Sequence, residues 1–228
     1  METIPILFFL AFGALVIVLI VAGALQSAKR KEELRTWAQS RGLRFDDRKD
    51  HSFENRYPTF QALRQGSNRY AYNIVSGAWK DYGLTAFDYH YETHSTDSKG
   101  RRQTSHHHFS AVIMRTPCCM RPLLIRPEGF FDKVKDFFGF DDIDFESAEF
   151  SRKFFVKCED RKFAYDVLHN RTIQFLLDRP RFTVQFNYND AFACQKSRFS
   201  TAEFEKAIET ITGICDALPD YVAKESKH

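Results

Sequence analysis

The sequence predicts an α+β protein: an N-terminal transmembrane helix, then an antiparallel-sheet-rich domain with several short helices and a C-terminal amphipathic helix. Three observations predict it. Ile4 to Leu25 is an uncharged, apolar run of 22 residues. From Thr59 to Arg126 the hydrophobic period is two, that of a half-buried strand. Phe204, Ile208, Ile211, Cys215 and Leu218 step by four, three, four and three, as on a helix with one buried face.

As a helix the apolar run reaches ~33 Å, enough to cross a hydrocarbon core of ~30 Å. Only a helix satisfies its own backbone there. Pro5 falls in the first turn, where a missing N–H costs little. The alternative is a cleaved signal peptide, since Ala22-Gly23-Ala24 resembles a small-residue cleavage site. Against it, no Lys or Arg precedes the run and the run exceeds a signal's apolar core. Residues 1–26 are therefore expected to be a retained single-pass anchor, contacting the bilayer through residues 4–25. Lys29, Arg30, Lys31 and Arg35 follow it, with nothing basic before it. The positive-inside rule then predicts an N-terminus outside and a C-terminal domain in the cytoplasm. The same four cations are a candidate membrane-surface cluster for anionic headgroups.

Residues 27–42 continue as a juxtamembrane helix with Leu34, Trp37 and Ala38 on one stripe and Gly42 as its stop. Residues 43–220 read as the soluble domain, with Pro127 dividing candidate subdomains of about 43–127 and 128–220, and 221–228 as a tail. Within it, a polar loop covers 46–58, and strands are predicted at 59–65, 69–76, 83–95, 103–114 and 121–126. Gly66-Ser67-Asn68, Asp81-Tyr82-Gly83 and the polar segment 96–101 supply the turns. A short helix is expected over 130–138, a strand over 150–157, and helices at 160–168 and 171–177, begun by Asp160 and Asn170. Residues 181–188 and 191–196 read as a hairpin around Asn187-Tyr188-Asn189-Asp190. Ser200 and Glu203 form a capping box for the last helix.

One constellation carries chemistry. Asp88, His90, Glu92 and His94 alternate with Phe87, Tyr89 and Tyr91, so they share one strand face. If Phe109, Ala111 and Ile113 join Phe87 and Tyr89 on the core side, the register brings His106 and His108 to that same face. His90, Glu92, His94, His106 and His108 are thus candidate ligands for zinc or a similar divalent metal. The competing reading is a solvated polar face beside a hairpin tip, and a one-residue slip would separate the two sets of histidines.

Composition excludes several classes. Lys and Arg number 33 against 30 Asp and Glu, a net +3, too mild for a nucleic-acid binder. Charged residues at 28% argue against a multi-span transporter, and aromatics at 15% argue against disorder. Five cysteines, Cys118, Cys119, Cys158, Cys194 and Cys215, have no paired or zinc-type spacing, which fits a reducing compartment. No phosphate loop, dinucleotide fingerprint, nucleophile elbow or kinase signature occurs. An anchor joined to a domain without a catalytic signature reads as a membrane-tethered cytoplasmic interaction or scaffold domain with a protein partner. The alternatives are a metal-binding protein or metal-dependent enzyme using the histidine hairpin, and an anionic-lipid-sensing domain.

Trp37-Ala38, Gly42-Leu43, Phe87-Asp88-Tyr89, Ile125-Arg126-Pro127-Glu128-Gly129, the run Phe140 through Phe154 (FDDIDFESAEFSRKF) and Phe163-Ala164-Tyr165-Asp166 resemble an uncharacterised family of bacterial proteins. Its members carry one N-terminal membrane helix and a cytoplasmic domain of unknown function. The resemblance implies bacterial origin and a membrane anchor, and it assigns no activity and no functional residue.

Overall fold

A single helix, α1 (Thr3–Ser40), runs without interruption from the apolar segment into the domain in the computed structural model, which describes residues 3–98, 100–128 and 143–225. Among the described residues it is one helix long and apolar enough to cross a membrane. Phe12, Leu15, Ile17 to Ile20 and Leu25 all stand exposed on it. The character changes at Arg30, beyond which Leu34, Trp37 and Ala38 are buried against the sheet. The helix stops where Gly42 takes φ 64° and the Leu43 N–H donates to the Ala38 carbonyl at 2.8 Å. That left-handed turn is one a residue without Cβ makes freely.

The sheet is antiparallel and six-stranded. Strands β1 (Arg44–Asp46), β2 (Ser67–Trp79), β3 (Tyr82–Thr96), β4 (Arg102–Pro127) and β5 (Phe154–Cys158) lie in that order, and β6 (Thr183–Cys194) pairs with the other edge of β4. β4 is the spine: its first half pairs β3, its end pairs β5, and β6 runs along its far side. Strands from both sides of residue 127 therefore share one sheet.

Bulges explain where the alternating pattern misleads. The predicted strands 103–114 and 121–126 are one strand, because β4 continues through irregularities between Arg115, Met120 and Leu123. The phase flips there: Val112 and Met114 face the same core as Leu123 and Ile125. β6 flips in step at Tyr188 (φ 54°), so the predicted hairpin at 187–190 is a bulge within one strand. An extra residue moves every later side chain to the opposite face, which period counting reads as a break. Residues 59–65, predicted as a strand, form a 3-10 turn (Gln61–Arg64) after the short helix α2 (Phe53–Arg56), itself inside the predicted loop. A run this short carries no period that separates strand from turn. The predicted strand 150–157 starts as α3 (Ala148–Lys153), where Ser147 accepts from the Phe150 N–H, and only then becomes β5. The helix expected over 130–138 lies outside the described residues.

Both faces of the sheet are covered. On one, α1, α4 (Arg161–Val167), α5 (Asn170–Leu177) and α6 (Thr201–Asp216) build the larger core, in which Phe204, Ile208 and Ile211 are buried with Val112, Met114 and Ile125. Ser200 and Glu203 close the capping box, and Asp160 caps α4. α5 is preceded by His169 at its N-cap and not by Asn170. On the other face, Phe53, Phe60 and Leu63 pack on Phe87, Tyr89, Phe109 and Ile113. A last helix, α7 (Asp220–Glu225), runs into the expected tail of 221–228, with Val222 buried.

Candidate functional site

The even-numbered face of β3 changes character along its length. Leu84 and Ala86 lie in the larger core, Asp88 is fully buried, and His90, Glu92 and His94 lead out to an increasingly exposed hairpin arm. Two features sit on this face: an ion pair joining it to α1, and a histidine cluster.

Asp88 receives the Arg30 guanidinium in a two-point contact, Nη2 to Oδ1 at 2.9 Å and Nε to Oδ2 at 3.2 Å. The Ser110 hydroxyl and the Asn73 amide (2.9 Å) also donate to its carboxylate. Asn73 reaches it from a bulge in β2, where its φ is 51°. Ser110 Oγ in turn accepts the Phe199 N–H at 2.9 Å, just before α6. A carboxylate this buried needs such a set of donors. Farther along α1, Trp37 stacks on Phe204 with ring centroids 5.4 Å apart, and its Nε1 donates to Glu205 at 2.9 Å. Thus Arg30, expected at the membrane surface, has its guanidinium spent inside the domain. The other three cations expected there pair locally: Lys29 with Glu33, Lys31 with Asp47, and Arg35 with Glu32. Lys29, Arg30 and Glu33 line one wall of an open cleft of about 440 Å³, with Arg198, Ser200 and Glu203 opposite.

The relative direction of α1 and β3 follows from these contacts. Arg30 meets Asp88, whereas Arg41 lies over Trp79, which is registered with Tyr82 at the start of β3. α1 therefore runs against β3, and its apolar half leaves the domain in the same sense as the histidine-bearing arm.

In that arm β3 and β4 pair His90 with His108, Glu92 with His106 and His94 with Thr104. All five candidate ligands share a face, and three of them converge: the ligand atoms of His90, Glu92 and His106 lie within 4.8 Å of one another. His90 Nε2 is 3.2 Å from His106 Nδ1, which is 3.4 Å from Glu92 Oε1. His108 stands beside His90 with ring centroids 4.9 Å apart, its Nδ1 held by the Tyr72 hydroxyl at 3.0 Å. His94 is apart from the cluster, bonded to Ser67 and Thr104 at the exposed end. Burial pushes the His90 and His108 imidazoles down from the ordinary histidine value. Tyr72 is pushed up to about 12 by burial and by the Asp88 charge.

Asn68 and Asn73 do not stand out in the sequence as functional residues. Each sits in β2 at a register shift with positive φ (47° and 51°), and each aims an amide at a β3 carboxylate, Glu92 and Asp88 respectively. For Asn73 the legible signal was an Asn interrupting the alternating strand 69–76, since Asn tolerates the left-handed region better than most residues, whereas Asn68 fell in the segment read as a turn and lies inside β2.

These features define an α+β domain carried on the end of a long, exposed apolar helix and clasped to it by a buried ion pair. No protein-family model matches the chain, and no curated protein matches it. Among solved structures, the crystal structure of the mycobacterial trehalose monomycolate transport factor A, TtfA, is similar in fold, with a TM-score of 0.59 at 12% identity. The match covers 83% of this chain and 96% of that one.

Proposed function

We propose that this chain is a single-pass, membrane-tethered interaction domain of a bacterial cell, held on the cytoplasmic face with its N-terminus outside and acting through a protein partner. α1 carries the reading. Its apolar side chains stand exposed from Phe12 to Leu25 among the described residues, while its continuation from Arg30 is fixed in the domain by the Asp88 pair and the Trp37 stack. Leu25 and Arg30 are separated by ~7.5 Å of helix rise, so a bilayer around the apolar half would hold the domain close to its surface. The cations after the apolar run support the cytoplasmic side. The likeness in fold to a transport factor supports a role in a membrane transport assembly, and the sequence resemblance supports a bacterial origin.

The test is affinity capture from detergent-solubilised native membranes after brief cross-linking. The reading expects an integral membrane protein to copurify in fixed ratio with the full chain, and to be lost when residues 1–26 are removed. A full chain that purifies alone, cross-linked only to itself or to nothing, contradicts it.

A further inference from the structure

We propose that His90, Glu92 and His106 form a binding site for one divalent cation of the zinc class, with Asn68 as the residue that positions two of the three ligands. This is a site additional to the tethering role and independent of it.

The geometry carries the assignment. Bonds of ~2.0–2.1 Å to a tetrahedral ion set ligand atoms about 3.3 Å apart. His106 Nδ1 stands 3.2 Å from His90 Nε2 and 3.4 Å from Glu92 Oε1, so two edges of that tetrahedron already exist. Two imidazole nitrogens and one carboxylate oxygen suit a borderline cation. They leave the fourth vertex for water, on the side where the His106 side chain is 59% exposed. The ligands stand on paired strands, since Glu92 is registered directly opposite His106 and His90 is two residues back on the same face.

The support behind the ligands is what distinguishes them from histidines that merely share a surface. A metal-bound imidazole characteristically gives its other N–H to a carbonyl, which fixes the tautomer and aims the free nitrogen. His90 does this: Nδ1 lies 3.0 Å from the Asn68 carbonyl, so Nδ1 carries the proton and Nε2 is the bare nitrogen facing His106. Asn68 also donates its side-chain amide to Glu92 Oε1 at 2.6 Å. One residue thereby orients both a nitrogen and an oxygen ligand. It does so from a left-handed bulge at φ 47°, two residues after Gly66, at which any Cβ would collide with the Glu92 carbonyl. Tyr70 stacks on His90 with centroids 4.6 Å apart and holds the ring plane. In the metal-free chain His106 Nδ1 faces two acceptors, His90 Nε2 and Glu92 Oε1, and so donates its N–H between them; a bound ion takes the place of that proton, which moves to the other ring nitrogen.

His94 is an internal control. It is on the same strand and the same face, yet both its ring nitrogens bond to Ser67 and Thr104 hydroxyls. The experiment is a zinc titration of the full chain in detergent, free of any histidine tag, competed against a chromophoric chelator. One zinc per chain is expected. His106→Ala and Glu92→Gln should each weaken it at least tenfold, and His94→Ala should leave it unchanged. Asn68→Gly keeps the left-handed backbone and the carbonyl but deletes the amide. It should weaken binding by ~10–100-fold, the usual effect of losing a ligand's support. Matching melting curves in chelator establish that each variant is folded. Absence of stoichiometric binding overturns the proposal, and so does a His94→Ala loss equal to that of His106→Ala.

Discussion

Replacing Arg30 with Met keeps much of the stem that packs along α1 and removes the charge that meets Asp88. In the folded chain the Arg30 side chain is 13% exposed and Asp88 is 0% exposed, so the pair is screened little by water. Deleting one partner of a buried pair costs ~3–5 kcal/mol, mainly because the other charge is left uncompensated. Asp88 keeps the Ser110 and Asn73 donors, which favours the lower end, about 3 kcal/mol. For a chain of this length each kcal/mol moves Tm by ~2–4 °C, so the expected drop is roughly 6–12 °C. The assay is thermal unfolding in detergent followed by tryptophan emission, to which Trp37, stacked on Phe204 two turns along α1, contributes a local signal. Adding Asp88→Asn to Arg30→Met removes the stranded charge and should recover a large part of the loss. Lys31→Met, whose partner Asp47 is exposed, should cost under ~0.5 kcal/mol. An Arg30→Met loss as small as that of Lys31→Met refutes the view that this pair fastens α1 to the sheet.

Ile208→Ala empties part of the interface between α6 and the sheet and should cost ~2–4 kcal/mol in denaturant unfolding; a loss under ~0.5 kcal/mol would mean the helix is not packed there. Tyr89→Ala removes a buried ring and the hydroxyl that donates to the Leu63 carbonyl at 2.7 Å, and should cost ~3 kcal/mol or more, whereas exposed His94→Ala in chelator should cost under ~0.5 kcal/mol. Of five cysteines, half-buried Cys118 and Cys119 should react with a maleimide in the native protein, with Cys158, Cys194 and Cys215 protected until unfolding; rapid modification of all five in folded protein would contradict the buried positions. Burial raises all three protected thiols, Cys215 to about 12. Folding thus opposes their ionisation, and their contribution to stability is intact below the unfolded thiol value of ~8.5 and lost as pH rises beyond it. Tm should therefore fall above pH ~8.5, less steeply in Cys215→Ala, and equal slopes in the two proteins would remove Cys215 from the explanation.

What the sequence made legible was whatever a single period governs. The apolar run, the Ser200–Glu203 box with its four-three stripe, and the odd-even face of β3 are local patterns, and each stands in the structure. The histidine register was readable because Phe109, Ala111 and Ile113 can face the core beside Phe87 and Tyr89 in one way only. Bulges were not readable. At Arg115–Met120 of β4 and Tyr188 of β6 one strand changes phase opposite another, and each strand alone looks like two. The Asp88 clasp was half readable: an acid amid Phe87 and Tyr89 stood out, but its cation is 58 residues away. Nothing in the pattern after the apolar run separates Arg30, which turns inward, from Lys29 and Lys31, which stay with surface carboxylates.

The tether and its direction are the centre of this account, and Cys118 and Cys119 offer a native reporter for both. The measurement is labelling by a membrane-impermeant maleimide in intact spheroplasts of a bacterial host, then after permeabilisation, with carbonate extraction of the same membranes. The expected result is a chain that stays in the carbonate-washed membrane and is labelled only once the membrane is opened. Labelling in intact spheroplasts, or release into the soluble fraction as a chain beginning near Leu25, would contradict it.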